Sequence, residues 1–488
     1  MVEFGRRKEN CRRAGVHVNA AAVAALFVLL PHQPVVAESL REALAAAYHS
    51  NPRLDAERAK LRATDEDVSR AESGYRPIIE GSAEIGQQRT TSEPRSSTAG
   101  ESSPWGYTIS MRQPVFQGFR TQNEVAEAEA SVKAGRENLR LVEGSVLLDA
   151  VKAYMDVVTA TAIVRIRDSN VLVLAQELEA ATTRRSVKEV TKTDVAQAQA
   201  RHARAVAAAD LAVADMKSAA ANYERVIGHA PAATGMPPMK LKFLPRSLEE
   251  AWSIAERQSP NLASALYREE AARFAVDKVR GELMPEVNVE ASYGHRENPN
   301  SAFDQQDSAS ITGRVSVPLY DGGEIRARVR QAKHTQVSRL QEIEQARTET
   351  VAQVTSSWSA LNGQRAKLRS DAIQVEANRI ALEGTREEEK VGQRTLLDVL
   401  NAEQEFLDAQ IDHANSRREV VVASYQLLAA MGTLTAEDIL LTSTIYDPEQ
   451  HLLEARENWF GIDITNADGR RQSMQATDKD VDVTDIVE

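Results

Sequence analysis

The sequence predicts a mixed α/β membrane protein, mainly long α-helical coiled-coil hairpins, with four transmembrane β-strands per protomer. Three observations predict it. The chain is a duplicated unit, each copy holds two segments with strict two-residue alternation, and each pair of segments is followed by a long run without proline. Composition agrees: aromatic residues make up 5% of the 488 residues, and alanine, glutamate, glutamine, arginine and leucine dominate long stretches. Those side chains lose least freedom in a helix, so packing is expected to be helix against helix.

The N-terminus carries Arg6, Arg7, Lys8, Arg12 and Arg13, then an apolar stretch from Ala20 to Leu30, then Val35-Val36-Ala37. This is the pattern of a signal peptide over 1–37, and the apolar stretch is too short for a spanning helix, which needs roughly 20 residues. The sole cysteine, Cys11, precedes it, so the mature chain is expected to begin at Glu38 with no thiol, disulfide or lipidated first residue.

From there the chain aligns with itself. Ser39-Leu40-Arg41-Glu42-Ala43 recurs as Ser247-Leu248-Glu249-Glu250-Ala251, and Pro114-Val115-Phe116-Gln117-Gly118 as Pro318-Leu319-Tyr320-Asp321-Gly322. Thr193-Asp194-Val195 answers Leu397-Asp398-Val399. The expected domains are a first repeat over 38–231, a linker over 232–246, a second repeat over 247–440, and an acidic, disordered tail over 441–488.

Each repeat starts with a helix, expected over 39–74 and 247–281 and ended by Pro77 and Pro285. Strands follow. Ile79, Gly81, Ala83 and Ile85 alternate with Glu80, Ser82 and Glu84; Trp105, Tyr107, Ile109 and Met111 alternate with Gly106, Thr108, Ser110 and Arg112. The second repeat has Val287, Val289, Ala291 and Tyr293 against Asn288, Glu290 and Ser292, then Ile311, Gly313, Val315 and Val317 against Thr312, Arg314 and Ser316. Each has one apolar face, and each suits the roughly 9 to 11 residues of a tilted transmembrane strand. The strands alone fit a soluble sheet packed on helices equally well. In a membrane reading, four strands cannot close a barrel and an open edge cannot face lipid, so several copies must pool strands; three copies supply twelve.

No proline lies between Pro114 and Pro231, nor between Pro318 and Pro448. In the first of these arms Leu139, Val142, Val146, Ala150, Ala153, Val157 and Ala160 recur at helical spacing; in the second, Leu368, Ile373, Val375, Ile380 and Leu382 do so less regularly. The narrow, alanine-rich stripe suits a coiled-coil seam. Each arm is expected to fold back near Val187-Lys188-Glu189 or Val391-Gly392-Gln393, and an outbound helix of about 65 residues would reach about 100 Å.

With these elements in place, residues 38 to about 440 resemble the TolC family of outer-membrane efflux and secretion channels. The most specific parts are Val391-Gly392-Gln393-Arg394-Thr395-Leu396-Leu397-Asp398-Val399-Leu400-Asn401-Ala402-Glu403 and the two Pro-Val-Phe-Gln-Gly and Pro-Leu-Tyr-Asp-Gly-Gly junctions. The resemblance implies a homotrimer with a twelve-stranded barrel in the outer membrane and a helical barrel in the periplasm. It also implies a periplasmic adaptor and an inner-membrane pump as partners, and passive export of small toxic molecules or secreted proteins. Glu38, where lipid-anchored members carry cysteine, points to the non-lipidated branch.

The same resemblance assigns the sites. The arm tips are the gate, with Asp398 in a pore-facing acidic ring and Asn401 one turn on, where a second acid can stand; Asp398 equally suits a simple helix cap. Arg394 and Asp194 match positions that hold closed tips together, or are two solvated charges, and Glu389 stands where the family pattern has an aromatic residue. Val187, Lys188, Val391 and Gly392 are the expected adaptor-docking tips. The lysine at 188 fits if that turn needs no positive φ, yet the two tips should not be equivalent. Gly118, Gly322 and Gly323 are expected to let strand pass into helix, while Phe116, Tyr320 and Trp105 suit either an interfacial belt or an ordinary core.

No enzyme motif stands out: there is no HExxH, cysteine pair or phosphate loop, and the nine histidines are scattered. No cofactor is expected. A net charge of −12 disfavours a nucleic-acid partner. The competing reading is a periplasmic structural coiled-coil protein, against which the two-faced strands speak.

Overall fold

The computed structural model describes residues 38–91, 100–232, 234–238, 244–300, 302–439, 445–458, 460–465 and 471–472. The expected signal peptide and most of the far C-terminus lie outside the described residues.

The first repeat runs α1 (Leu40–Ser50), α2 (Pro52–Glu72), a 3-10 turn (Ser73–Tyr75), β1 (Ile78–Ile85), β2 (Gln88–Thr90), β3 (Gly100–Ser102), β4 (Trp105–Gln117), α3 (Arg120–Ser186) and α4 (Lys192–Ile227). The second runs α5 (Leu248–Gln258), α6 (Pro260–Gly281), β5 (Glu286–Asn300), β6 (Phe303–Ser316), α7 (Glu324–Lys390) and α8 (Leu396–Met431). A short helix α9 (Gln450–Glu457) and the small pair β7 (Ile464–Thr465) and β8 (Arg471–Gln472) follow.

Two expectations need correction. The single opening helix of each repeat is two helices, because Asn51 and Ser259 take extended φ/ψ and cap the next helix with their side chains while Pro52 and Pro260 occupy its first turn. The acidic tail is ordered in part. Leu452 of α9 packs on the buried cluster of Val68, Ala71, Ala128 and Val132, and Arg456 bridges Glu72 of α2 and Glu129 of α3. Acidic composition alone hides those contacts.

The four long strands form one antiparallel sheet in the order β1-β4-β5-β6. Its register sorts the two faces. Ile79, Met111, Ala291 and Ile311 form one cross-strand row, and Glu80, Ser110, Ser292 and Ser310 the next. An odd and an even row thus point to opposite faces. Ile79, Ile85, Ile109, Ile311 and Val315 are exposed on the apolar face, and Arg314 bonds Glu290 on the polar one. Among the described residues β1 and β6 are free edges, so their backbone donors and acceptors call for another copy.

Below the sheet, α3 and α7 are each 67 residues, about 100 Å of helix. The main core lies midway down, where α1, α3, α4, α5 and α8 meet around Leu147, Tyr154, Tyr223, Leu427 and Met431. Burying each such side chain contributes about 1.5–3 kcal/mol. Of the residues expected in the first arm's stripe, Leu139 to Val157 are buried and Ala160 half-buried. In the second arm Ile373 and Ile380 are exposed, at 71% and 57%. The seam of α7 with α8 instead recurs at seven-residue steps through Val354, Leu361, Leu368, Val375 and Leu382, all buried or half-buried.

Candidate functional site

Both arms turn back with the same backbone. After α3, Lys188 N–H donates to Arg185 O (3.0 Å) and Glu189 N–H to Arg184 O (3.0 Å); after α7, Gly392 N–H donates to Glu389 O and Gln393 N–H to Glu388 O (2.9 Å each). These bonds close the helix end through a left-handed residue. Gly392 has φ +78°, and Lys188 has φ +67°. The sequence expectation fails at this point: the first turn does need a positive φ, and a lysine supplies it at a cost of about 1–2 kcal/mol. The two turns are equivalent in backbone and differ in side chain. Val187 and Val391 stand exposed beside them.

The returning helices also start alike. Thr191 and Asp194 form a reciprocal capping box, as do Thr395 and Asp398. The Asp398 carboxylate accepts from Thr395 N (3.0 Å) and Thr395 Oγ1 (2.8 Å). Those hydrogen bonds, with Arg394 as a lesser contributor, hold its carboxyl below the usual aspartate range. Asp398 is thus the third-residue partner of the Thr395 cap, and it is charged at neutral pH.

The structure does not join Arg394 to Asp194 within the protomer: Arg394 Nε donates to Glu388 (2.9 Å), while Asp194 is taken up by Thr191. Other residues tie the first hairpin to the second. Arg184 of α3 donates to Glu389 of α7 (2.5 Å), and Arg201 of α4 to Asn401 of α8 (2.8 Å). An apolar cluster of Leu174, Ala205 and Leu400 lies between them. Glu403, inside the second hairpin, is buried against Arg386, and burial pushes its carboxyl up. The Glu389 carboxylate is thus held by the Arg184 guanidinium. No local spacing marks such a pair, whose members lie 205 residues apart.

At the other end, Gly118 (φ +62°) crosses Gly281 so closely that a Cβ on Gly118 would meet Gly281 O at 2.2 Å. Phe119 follows with φ +63°, in the place of Gly323 (φ +90°) beside Gly322 (φ +67°). Sequence reading missed Phe119, since only glycine announces that conformation. Trp105 and Tyr320 are exposed, whereas Phe116 is half-buried against the Phe119 ring, 5.1 Å away.

A sheet with one apolar and one polar face, two free edges and arms of this length has known counterparts. The model of a family described as outer membrane efflux protein matches residues 43–229 and 252–433. This chain belongs to that family. The outer membrane efflux protein BepC of Brucella suis biovar 1 is 37% identical over 454 residues, covering 92% of this chain and 97% of its own length. The outer membrane protein TolC of Vibrio cholerae is 24% identical over 414 residues, 83% of this chain and 93% of TolC. The alkaline protease secretion protein AprF of Pseudomonas aeruginosa is 25% identical over 343 residues, 69% and 71% of the two chains. Among solved structures, the Campylobacter jejuni CmeC outer membrane channel aligns with TM-score 0.74 at 15% identity over 86% of this chain and 89% of CmeC, a likeness of fold.

As an outer membrane efflux protein, the chain is a protomer of an outer-membrane channel. Its fold is that of helical hairpins carrying four strands of a trimeric, twelve-stranded barrel.

Proposed function

We propose that the protein is the exit duct of a tripartite efflux or type I secretion system. It conducts material passively, with no chemical step of its own, from an inner-membrane pump to the exterior. The observation that carries the reading is the four-stranded sheet whose apolar face is exposed and whose two edges are unpaired, set above arms of about 100 Å. The arm tips, with Val187, Lys188, Val391 and Gly392, are the docking surface for a periplasmic adaptor. The second repeat's tip makes the gate: three Asp398 carboxylates around the axis repel one another and attract cations, with Asn401 beside them. Arg394 and Asp194 latch the closed tips between protomers, and Arg394–Glu388 and Arg184–Glu389 brace each tip from within.

Small-molecule efflux is the favoured cargo class, because the relative at 37% identity is named an efflux protein. Export of a protein is the second reading, favoured by the likeness to AprF. Deleting the gene tests both: antibiotic and bile-salt sensitivity with unchanged secreted proteins supports the first, and the reverse supports the second. A periplasmic coiled-coil protein would be released by osmotic shock, whereas this channel should need detergent.

A further inference from the structure

The helix α9 has a direction. His451 bonds Asp65 (3.0 Å) and Arg456 bridges Glu72 (3.3 Å), so α9 runs parallel to α2. Against α3 it runs the opposite way, with Glu449 on Arg136 (2.9 Å) and Arg456 on Glu129. Both senses carry the chain upward, toward the sheet. Asp65 is fully buried beneath His451, so this course is held by packing as well as by surface charge.

The end of α9 lies close to the membrane side of the molecule. Glu129 sits nine residues into α3, about 14 Å below the helix start that directly follows β4. Glu72 is six residues before β1, at most about 20 Å of chain. Beyond α9, Phe460, Ile462 and Ile464 are exposed, at 78%, 67% and 47%. From Glu457, where α9 ends, five residue steps lead to Ile462, a reach of at most about 17 Å. Both helices that carry α9 reach the sheet through exposed aromatic residues, Tyr75 at 54% and Phe119 at 55%. Val115 and Ile78 extend that apolar belt onto the strands.

We infer that residues 460–464 are a membrane-contacting anchor. They lie on the periplasm-facing leaflet of the outer membrane, continuous with the apolar belt at the foot of the barrel, and α9 is the strut that lifts them there. The contact is apolar. The segment's own charge is Asp463, so binding draws on burial of Phe460, Ile462 and Ile464 and is insensitive to salt.

The test uses the full chain with Cys11→Ser, assembled in vesicles of phosphatidylethanolamine and phosphatidylglycerol, with a fluorophore on Ile462→Cys. Quenching by nitroxide-bearing lipid, together with protection from aqueous iodide, is expected. Ile311→Cys on the barrel serves as the lipid reference and Lys188→Cys at the tip as the aqueous one. Adding Phe460→Ser and Ile464→Ser, both exposed and outside the core, should abolish lipid quenching at position 462. Iodide quenching at 462 like that at 188 overturns the anchor. So does insensitivity to both quenchers, the mark of a tail packed on a neighbouring copy. If the label at 311 also escaped lipid, the membrane reading of the sheet would fall with it.

Discussion

The two hairpins share one backbone plan and are held together differently. In the first, α3 buries nineteen residues and α4 presents Ala198, Ala205, Ala209 and Ala212 to it. In the second, α7 buries eight, and three residues after its apolar seam positions stand Ser357, Gln364, Asp371 and Asn378. Asp371 is bonded by Ser416 and by Lys367, and Asn378 donates to the backbone of Glu405. A seam polar on one side holds register at a cost in stability. α3 lies between α4, α6 and α8, whereas α7 exposes Val337, Leu340, Val351, Ile373 and Ile380 at the protomer edge. The lesson is mechanical: the hairpin proposed to carry the gate is the one less committed to its own protomer.

The sharpest way to break this comparison is to remove an apolar seam residue. Leu361→Ala, at a site 1% exposed, should cost about 2–5 kcal/mol and lower the midpoint of denaturant unfolding. An unchanged midpoint would mean that the seam is not what holds α7. Next comes the polar side. Asp371→Leu combined with Lys367→Met and Ser416→Ala should stabilise the assembled channel by about 1–4 kcal/mol and reduce its open probability in planar bilayers. Destabilisation would instead show that the polar seam contributes net energy.

The tips give smaller effects of opposite sign. Lys188→Gly should stabilise by about 1–2 kcal/mol and Gly392→Lys destabilise by a similar amount, read as shifts in thermal unfolding. Glu389→Gln removes one arm of a partly exposed pair worth about 0–1 kcal/mol per protomer, so closed-state conductance should rise modestly. Arg394→Ser should do the same through Glu388, and no change in conductance would remove Arg394 from the latch. The least effect is expected from mild acid. The carboxyl of Asp398 titrates below its unfolded value, so the stability it lends is present above about pH 4 and is lost only as pH falls through the lower folded value. On the pore, where three copies repel one another and raise the titration, cation block should weaken with acid and vanish in Asp398→Asn, and block unchanged in that variant would rule out Asp398 as the ring.

Much of the fold was legible because it is written in local periods. Alternation at Ile79–Ile85 and Trp105–Met111 set both faces of the sheet, and the register pairs those same residues. The helix break at Asn51-Pro52 is also a local signal, a capping side chain before proline, although one continuous helix was expected over 39–74. The site was less legible. Asp398 and its capping role are local, Thr395 lying three residues before it, whereas the partners of Arg184 and Arg201 are not. Lys188 and Phe119 adopt left-handed backbone without the glycine that would announce it.

By itself, then, the chain determined its elements, its duplication and the two-sidedness of its strands, because each depends on neighbours within a few residues. Only tertiary structure decided that Arg184 meets Glu389, that α9 climbs α2, and that α7 keeps an apolar face open. Those contacts join residues separated by tens to hundreds of positions, and a charge or a leucine carries no local sign of which distant partner will take it up.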